Sequence, residues 1–386
     1  MIALISFNAC QKENVSDKFV ENIGVELSDQ NGAIIEGEYI VVLHEGAVKK
    51  AGMLRGNYEA NYALMKDELG TMVSKHNIQK ENILSVYFNT IDGFALKADE
   101  ATIEKLKLDP NVKSIEPNKI IALAKPVKPT PEPPAGQEIP WGIERVGGAG
   151  NGVGKTAWVI DSGIDLDHPD LNVDVARSKD FTGSRKGADD ENGHGTHVAG
   201  TIGAIDNEIG VVGVAAGCNL VAVRVLDRRG SGSTTGVISG VDYVAANANS
   251  GDVANMSLGG GVSTALDDAV LAASSSCKFA LAAGNESDNA NNHSPARVNG
   301  PNIYTISAMD LNDNWAYFSN YGNPPVDYCA PGLNIYSTWK GGGYNTISGT
   351  SMASPHAAGV LLMGAAHTSG YVKGDPDGNA DPIISQ

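Results

Sequence analysis

Five short apolar runs, at 156–160, 220–226, 253–256, 279–283 and 303–308, constrain this chain more than any other feature. They are rich in Val, Ile, Leu and Ala and are separated by longer segments with room for helices. Strands buried on both faces look like this, so the pattern predicts a parallel sheet between helical layers. Functional groups in such sheets collect beyond the carboxyl ends of the strands. The residues just after each run are therefore where chemistry is sought.

Three segments carry it. Val159-Ile160-Asp161-Ser162-Gly163-Ile164-Asp165 ends an apolar run in an acid and a glycine turn. Asn192-Gly193-His194-Gly195-Thr196-His197-Val198-Ala199-Gly200 sets His194 between two glycines at a helix start. Gly349-Thr350-Ser351-Met352-Ala353-Ser354-Pro355-His356-Ala357-Ala358-Gly359 sets Ser351 at the head of a small-residue helix. Free N–H groups and the positive end of the dipole there favour developing negative charge. Serine is also a common N-cap, and this segment alone does not separate the two uses. The order does more, because Asp161, His194, Ser351 is one of the chain orders of a serine-hydrolase triad. A serine hydroxyl needs a base within hydrogen-bond reach. Histidine can take that proton and return it to the leaving group, and a buried carboxylate fixes its tautomer.

On these motifs the chain resembles the subtilisin-like serine proteases (subtilases). Trp141-Gly142-Ile143 and Val223-Arg224-Val225-Leu226-Asp227 are similar to the proteinase K branch, and the likeness covers roughly residues 137–370. It implies an α/β, three-layer subtilisin-like fold with a mostly parallel central sheet. It makes Asp161 the orienting acid, His194 the general base and Ser351 the nucleophile. Asn285, after the run Phe279-Ala280-Leu281-Ala282-Ala283-Gly284, becomes the oxyanion donor; without the likeness it reads as a turn residue. His197 becomes a packed structural histidine. Gly230-Ser231-Gly232 and Ser257-Leu258-Gly259 would offer backbone edges to an extended peptide, with Ala283 and Gly284 beside them, so substrate binds by strand addition. Read alone, those glycines and serines only mark loops. Activity is expected to rise from acid toward alkaline pH as His194 loses its proton.

The resemblance also implies calcium. The loop Ile205-Asp206-Asn207-Glu208-Ile209-Gly210-Val211 is similar to the subtilisin calcium loop. Its ligands here would be the Asn207 side chain and the carbonyls of Ile205, Ile209 and Val211, completed by Asp170 and Gln137. All-oxygen coordination with few formal charges suits Ca²⁺ over zinc or copper. A plain solvated loop is the other reading.

The first third of the chain is a separate object. Glu38–Leu43 reads as a strand, and Tyr58, Tyr62, Met65, Leu69, Met72 and Val73 fall on one face of a helix. Strands follow at about 83–89 and after the Ile91-Asp92-Gly93 turn, then a helix at about 99–108 and a strand at 112–121. This β-α-β-β-α-β order predicts a small ferredoxin-like α+β domain over 37–123. It resembles the subtilase propeptide, a folding template and intramolecular inhibitor. Residues 125–135 hold five prolines, an extended spacer, and the linker is placed at 124–136 with maturation cleavage between about Ala122 and Gly136. The catalytic domain is then 137–386.

Composition bounds the rest. A net charge of −17 argues against a basic nucleic-acid-binding surface. Residues 1–10 resemble the end of a bacterial lipoprotein signal, with Cys10 as the lipidated residue and 11–36 as a flexible tether. No run approaches a membrane span. Cys218, Cys277 and Cys329 are odd in number and read as small packed hydrophobes, not a disulfide scaffold. Only 35 residues follow Ser351, fewer than in the family, and the stretch Gly374-Asp375-Pro376-Asp377-Gly378-Asn379 is polar and turn-rich, which implies either that a final helix is absent or that the sequence is cut short. The chain reads as a monomeric, secreted or envelope-bound serine endopeptidase made as a self-inhibited zymogen. The alternative is a catalytically silent subtilase-fold binding module, which has no chemical need for Asp161, His194, Ser351 and Asn285 together. A lipase would need a Gly-x-Ser-x-Gly elbow around Ser351, and a metalloprotease a His-Glu-x-x-His helix.

Overall fold

The computed structural model describes residues 28–48, 50, 52–54, 57–123 and 136–386. Cys10 and most of the proline-rich spacer lie outside them.

The expected parallel sheet is present. Its nine strands run, in spatial order, His367–Tyr371, Pro382–Ser385, Val326–Pro331, Ile303–Met309, Lys278–Ala282, Val253–Met256, Thr156–Asp161, Asn219–Arg224 and Lys179–Asp180. Neighbours are parallel except the first two, which form an antiparallel pair. Side-chain alternation divides the core. Trp158 and Ile160 pack with Val237, Ile238 and Val241 of the Thr234–Asn247 helix, and with the Thr264–Ala273 helix. Ala157 and Val159 pack on the other face with Val198 and Ile202 of the His194–Gly203 helix and Leu361 of the Thr350–Met363 helix. Strands covered on both sides have little reason to alternate polar and apolar residues, hence the continuous runs.

The N-terminal domain also folds in the expected order. Its strands are Ile34–Leu43, Ile83–Tyr87, Gly93–Lys97 and Val112–Ala122, and its helices Tyr58–Ser74 and Glu100–Leu106. Asn57 and Asp99 cap the helices by accepting the N–H of Ala60 and Thr102. The first strand starts at Ile34 and the turn before it begins at Ser28, so residues 28–36 of the span expected as a tether are folded, and the rest of that span lies outside the described residues. One sheet face packs on its own helices through Val41, Leu69, Val86 and Phe94. The other face, through Ile40, Val42, Tyr87 and Ala95, joins the core around Val237 and Ile238 of the C-terminal domain. The two domains thus share one apolar core.

Two carboxylates cross this junction in opposite directions. Asp242, on the Thr234–Asn247 helix, receives the N–H groups of Phe88, Asn89 and Thr90 at 3.1, 2.8 and 2.9 Å. The Thr90 hydroxyl and Asn89 Nδ2 add bonds of 2.9 Å each. Glu116 of the N-terminal domain accepts the N–H groups of Thr264 and Ala265 and the Ser263 hydroxyl, at the start of the Thr264–Ala273 helix.

The C-terminal end forms a hairpin, not a helix. Ile383 and Ile384 are buried, and Gln386 ties back to Val146 and Gly148. Among the described residues no helix is long and apolar enough to cross a membrane. Cys218, Cys277 and Cys329 are buried free thiols, and burial pushes the first two up to about 12.

Candidate active site

Asp161 is the last residue of its strand and is fully buried. His194 opens the next helix, and its Nδ1 lies 2.8 and 3.0 Å from the two Asp161 oxygens. Asp161 Oδ1 also accepts the Ser162 N–H at 2.7 Å. A carboxylate on Nδ1 keeps the ring proton there and leaves Nε2 as the basic nitrogen. The imidazole retains only 12% exposure.

The turn that delivers His194 is built by Asp190, which sequence reasoning passed over. Its carboxylate receives the N–H groups of Asn192, Gly193 and Thr196 at 2.8, 2.9 and 3.0 Å. The hydroxyls of Ser162 and Thr196 add bonds of 3.0 and 2.6 Å. Burial pushes the Asp190 carboxyl up, and these donors oppose that. The signal was present in Asp190-Glu191-Asn192-Gly193: an acid two residues before Asn-Gly, at a helix start.

Ser351 is placed by a consequence of Pro355. Proline has no N–H, so the Ser351 carbonyl, four residues earlier in the Thr350–Met363 helix, lacks its helical donor. Ser257 Oγ supplies one at 2.7 Å, and Ser351 Oγ donates back to the Ser257 carbonyl at 3.0 Å. Asn255 completes a buried network, donating to Ser257 Oγ at 2.9 Å and accepting from Ser354 Oγ at 2.8 Å. Among the described residues no hydrogen bond joins Ser351 Oγ to His194; the hydroxyl donates to the Ser257 carbonyl.

Gly284 turns the chain toward Asn285 with φ of +109°. A Cβ on it would fall 2.2 Å from Asn320 Nδ2 and 2.6 Å from Glu286 Oε2. Asn285 Oδ1 accepts the Thr350 N–H at 2.8 Å and its hydroxyl at 3.0 Å. A backbone N–H only donates, so the amide oxygen faces Thr350 and Nδ2 remains available. Asn285 and Ser351 line one pocket, together with Ser257, Leu258, Gly259, Ala283 and Gly284. Asn320 is fully buried and shapes the turn. It donates to the Ala283 carbonyl and Glu286 Oε2, and accepts the N–H groups of Glu286 and Asp288. Nothing near Asn320 in the sequence signals this role.

A peptide strand already lies against the pocket. Ile120, Ile121 and Ala122 pair antiparallel with Ser233, Gly232 and Ser231, and the Leu123 N–H donates to the Gly230 carbonyl at 2.9 Å. Ala122 and Leu123 line the same pocket as Ser351. The opposite rim of the pocket is formed by Ser257, Leu258 and Gly259. Asn31 Oδ1 accepts the Ala122 N–H there at 3.0 Å.

The six expected calcium ligands draw together in part. Asp170 is buried and accepts from Asn207 Nδ2 at 2.8 Å, the Val211 N–H at 3.0 Å and the Tyr344 hydroxyl at 3.2 Å. Gln137 Nε2 donates to the carbonyls of Ile205 and Val211 at 2.8 and 3.4 Å, and Asn207 Oδ1 accepts the Ile209 N–H at 2.7 Å. Amide nitrogens of Gln137 and Asn207 donate to these oxygens, and burial holds the Asp170 carboxyl above its ordinary range. One carboxylate, two amides and three carbonyls fit a hard dication. Among the described residues no three His, Cys, Asp or Glu gather as a metal group.

His197 is buried with Nε2 3.0 Å from the Ile335 carbonyl, and burial lowers it to about 3. His356, lowered to about 4, explains Gly142: a Cβ there would meet its Nε2 at 2.3 Å.

A parallel sheet carrying an aspartate-paired histidine and a serine at a helix N-terminus is the arrangement of a serine hydrolase. The Subtilase family profile matches residues 154–367, and the chain belongs to that family. The Peptidase inhibitor I9 profile matches residues 38–124. Alkaline serine exoprotease A of Vibrio alginolyticus is 44% identical over 305 residues, 76% of this chain and 54% of that protein, so the chain spans about half its length. Subtilisin-like serine protease AsES of Sarocladium strictum is 42% identical over 312 residues, 76% of this chain and 74% of that protein. Among solved structures, a cold-adapted subtilisin-like serine proteinase matches with a TM-score of 0.53 and 49% identity, covering 58% of this chain and 83% of that one.

Proposed function

We propose that this chain is a serine endopeptidase, held inactive by its own N-terminal domain until that domain is cut and released. Ser351 Oγ attacks the scissile carbonyl, His194 Nε2 takes its proton and later gives it to the leaving amine, and Asp161 stabilises the imidazolium. Asn285 Nδ2 and the backbone N–H of Ser351 receive the oxyanion. Water then hydrolyses the acyl-enzyme by the same groups. A substrate carbonyl entering the pocket must draw Ser351 Oγ from the Ser257 carbonyl toward His194. The observation that carries this reading is the two-point hydrogen bond from His194 Nδ1 to the carboxylate oxygens of Asp161.

A serine-directed phosphonate should label Ser351 in the processed protein; no adduct would favour the silent binding module. Asn285→Ala should keep KM and lose turnover about 100- to 1000-fold, the scale measured on a subtilisin. Full activity in that variant would remove Asn285 from the mechanism.

Substrate lies antiparallel to Gly230–Ser231–Gly232, as the Ile120–Leu123 strand does, and is gripped through main-chain hydrogen bonds. Calcium belongs at Gln137, Asp170, Asn207 and the carbonyls of Ile205, Ile209 and Val211, where it supplies structural charge balance and no catalytic step. EDTA should lower the melting temperature by several degrees, and Asp170→Asn should remove most of that response. An EDTA-insensitive melt would exclude the site. The relatives' names, an exoprotease among them, support work outside the cell. Lipidation at Cys10 would place the enzyme on the envelope.

A further inference from the structure

The segment ahead of the first strand forms the second edge of the strand that lies against the Ser351 pocket. Ser28–Ala33 is a tight turn, in which the Asn31 N–H donates to the Ser28 carbonyl and the Ala33 N–H to the Gln30 carbonyl, both at 3.1 Å. Gly32 stands at φ +82°, the left-handed region that favours glycine. From this turn the chain reaches the docked strand. The Gly32 N–H donates to the Ile120 carbonyl and the Ile120 N–H to the Ala33 carbonyl, each at 2.8 Å. Asn31 Oδ1 accepts the Ala122 N–H at 3.0 Å.

The docked strand therefore turns its residues alternately to two partners. Ile121 faces Gly232 and the Leu123 N–H donates to Gly230, while Ile120 and Ala122 donate to Ala33 and Asn31. Asn31 is half-buried and lines the same pocket as Ser351. Two glycines on the neighbouring Gly260–Gly261 strand admit it. A Cβ on Gly260 would crowd Asn31 Oδ1 at 3.1 Å, and one on Gly261 would lie 3.7 Å from the Gly32 Cα.

Strand register explains why a side chain is wanted here. The pairing of Ile34–Leu43 with Val112–Ala122 shifts between Tyr39 opposite Pro117 and Ile34 opposite Lys119, so residues 35–38 are set against Asn118 alone. Pro117 has no N–H to give a ladder, and a bulge at such a place is expected. Beyond that break the N-terminal sheet fixes the end of its last strand less firmly. On the far edge, Ser231-Gly232-Ser233 is three residues long and has no apolar side chain to interlock. Strands of that composition hold register weakly. A slip of two residues would keep the ladder and bring a different peptide bond to Ser351. Asn31 Oδ1 marks one N–H, that of Ala122, at the start of the cleavage window.

We propose that Asn31 is a positioning residue for the maturation cut: by holding the Ala122 N–H, it sets which peptide bond of its own chain reaches Ser351. The inference rests on self-cleavage by the mechanism above, and the step itself is unchanged. Ser351 Oγ adds to the carbonyl, the C–N bond breaks, the amine leaves with the proton carried by His194, and water hydrolyses the ester. Asn31 acts through the strand, whose freedom it lowers before the bond is attacked.

The test follows the full chain by intact mass as it refolds from denaturant. The parent should be cut at one bond. Asn31→Ala should be cut about fivefold more slowly, the scale of one hydrogen bond, and at more than one bond between 122 and 136. Asn31→Asp keeps the acceptor and should restore the single bond and most of the rate. In the uncut Ser351→Ala chain, Asn31→Ala should quicken amide exchange at Ala122 while exchange at buried Phe94 stays slow. A parent-like rate and a single bond in Asn31→Ala would overturn the proposal, and so would an Asn31→Asp chain cut as Asn31→Ala is. Equal losses of melting temperature in the two variants with cutting unchanged would reduce the turn to packing. A parent that is never cut would remove self-cleavage itself and this inference with it, so the two failures are told apart.

Discussion

Ser351→Ala should leave the N-terminal domain covalently joined to the C-terminal one, with no form cut in the 122–136 window by intact-mass measurement. The reason is positional. The Leu123 N–H is held by the Gly230 carbonyl, and Leu123 lines the pocket that Ser351 lines. Leu123 is thus held at the pocket that carries the hydroxyl of its own molecule, and such proximity replaces a bimolecular encounter. The cut is therefore placed at the Leu123 end of the 122–136 window, within a residue or two of Ala124. Removing the nucleophile costs about 10⁶-fold in turnover on the scale known for a subtilisin, enough to abolish processing on any practical time. N-terminal sequencing of the active enzyme checks the bond. Normal maturation of Ser351→Ala would mean that another protease cuts, and a first residue far beyond 125 would mean that the docked strand is not the substrate.

The fold was legible because its strands are covered on both faces. Runs such as Val253–Met256 and Ile303–Met309 can only be core, and the 4, 3, 4, 3 spacing from Tyr58 can only be a helix face. Motifs flanking those runs brought the catalytic candidates within view for the same reason, since strand ends are where a sheet of this kind exposes side chains. What stayed hidden was structure made by a partner. Ser231–Ser233 becomes a strand only because Ile120–Ala122 lies beside it; its Gly and Ser carry no apolar signal. Pro382–Ser385 is four residues long, and its two buried isoleucines were masked by the polar loop before them. Asn320 and Asp242 act by collecting backbone N–H groups from segments that only folding brings near. A buried polar residue of that kind looks like any surface Asp or Asn in one dimension. The Ser351 hydroxyl illustrates a different limit. Sequence supplies the groups, while which acceptor takes the proton at rest is decided by the Ser257 carbonyl that Pro355 brings into play.

Asp242→Ala should release the N-terminal domain early. One carboxylate there receives five hydrogen bonds from Phe88, Asn89 and Thr90, and four of them fall on Oδ1. Burial pushes its carboxyl up, while the donors hold it down. Alanine would take the acceptor away from all five donors, carried by buried Phe88, half-buried Thr90 and exposed Asn89. Truncating the buried partner of such a set costs about 2 kcal/mol, or roughly thirtyfold in the dissociation constant of the cut domain. Asn at 242 keeps Oδ1 and should lose much less. That ordering, Asp over Asn over Ala, separates a hydrogen-bond anchor from a helix that simply tolerates no change. Two measurements read it: the lag before activity appears in an otherwise intact enzyme, and amide exchange at 88–90 in the uncut Ser351→Ala chain. Both should quicken in Asp242→Ala while exchange in the Val253–Met256 strand stays slow. A folded Asp242→Ala enzyme with an unchanged lag and unchanged exchange at 88–90 would show that the shared apolar core around Val237 and Ile238 holds the inhibitor by itself.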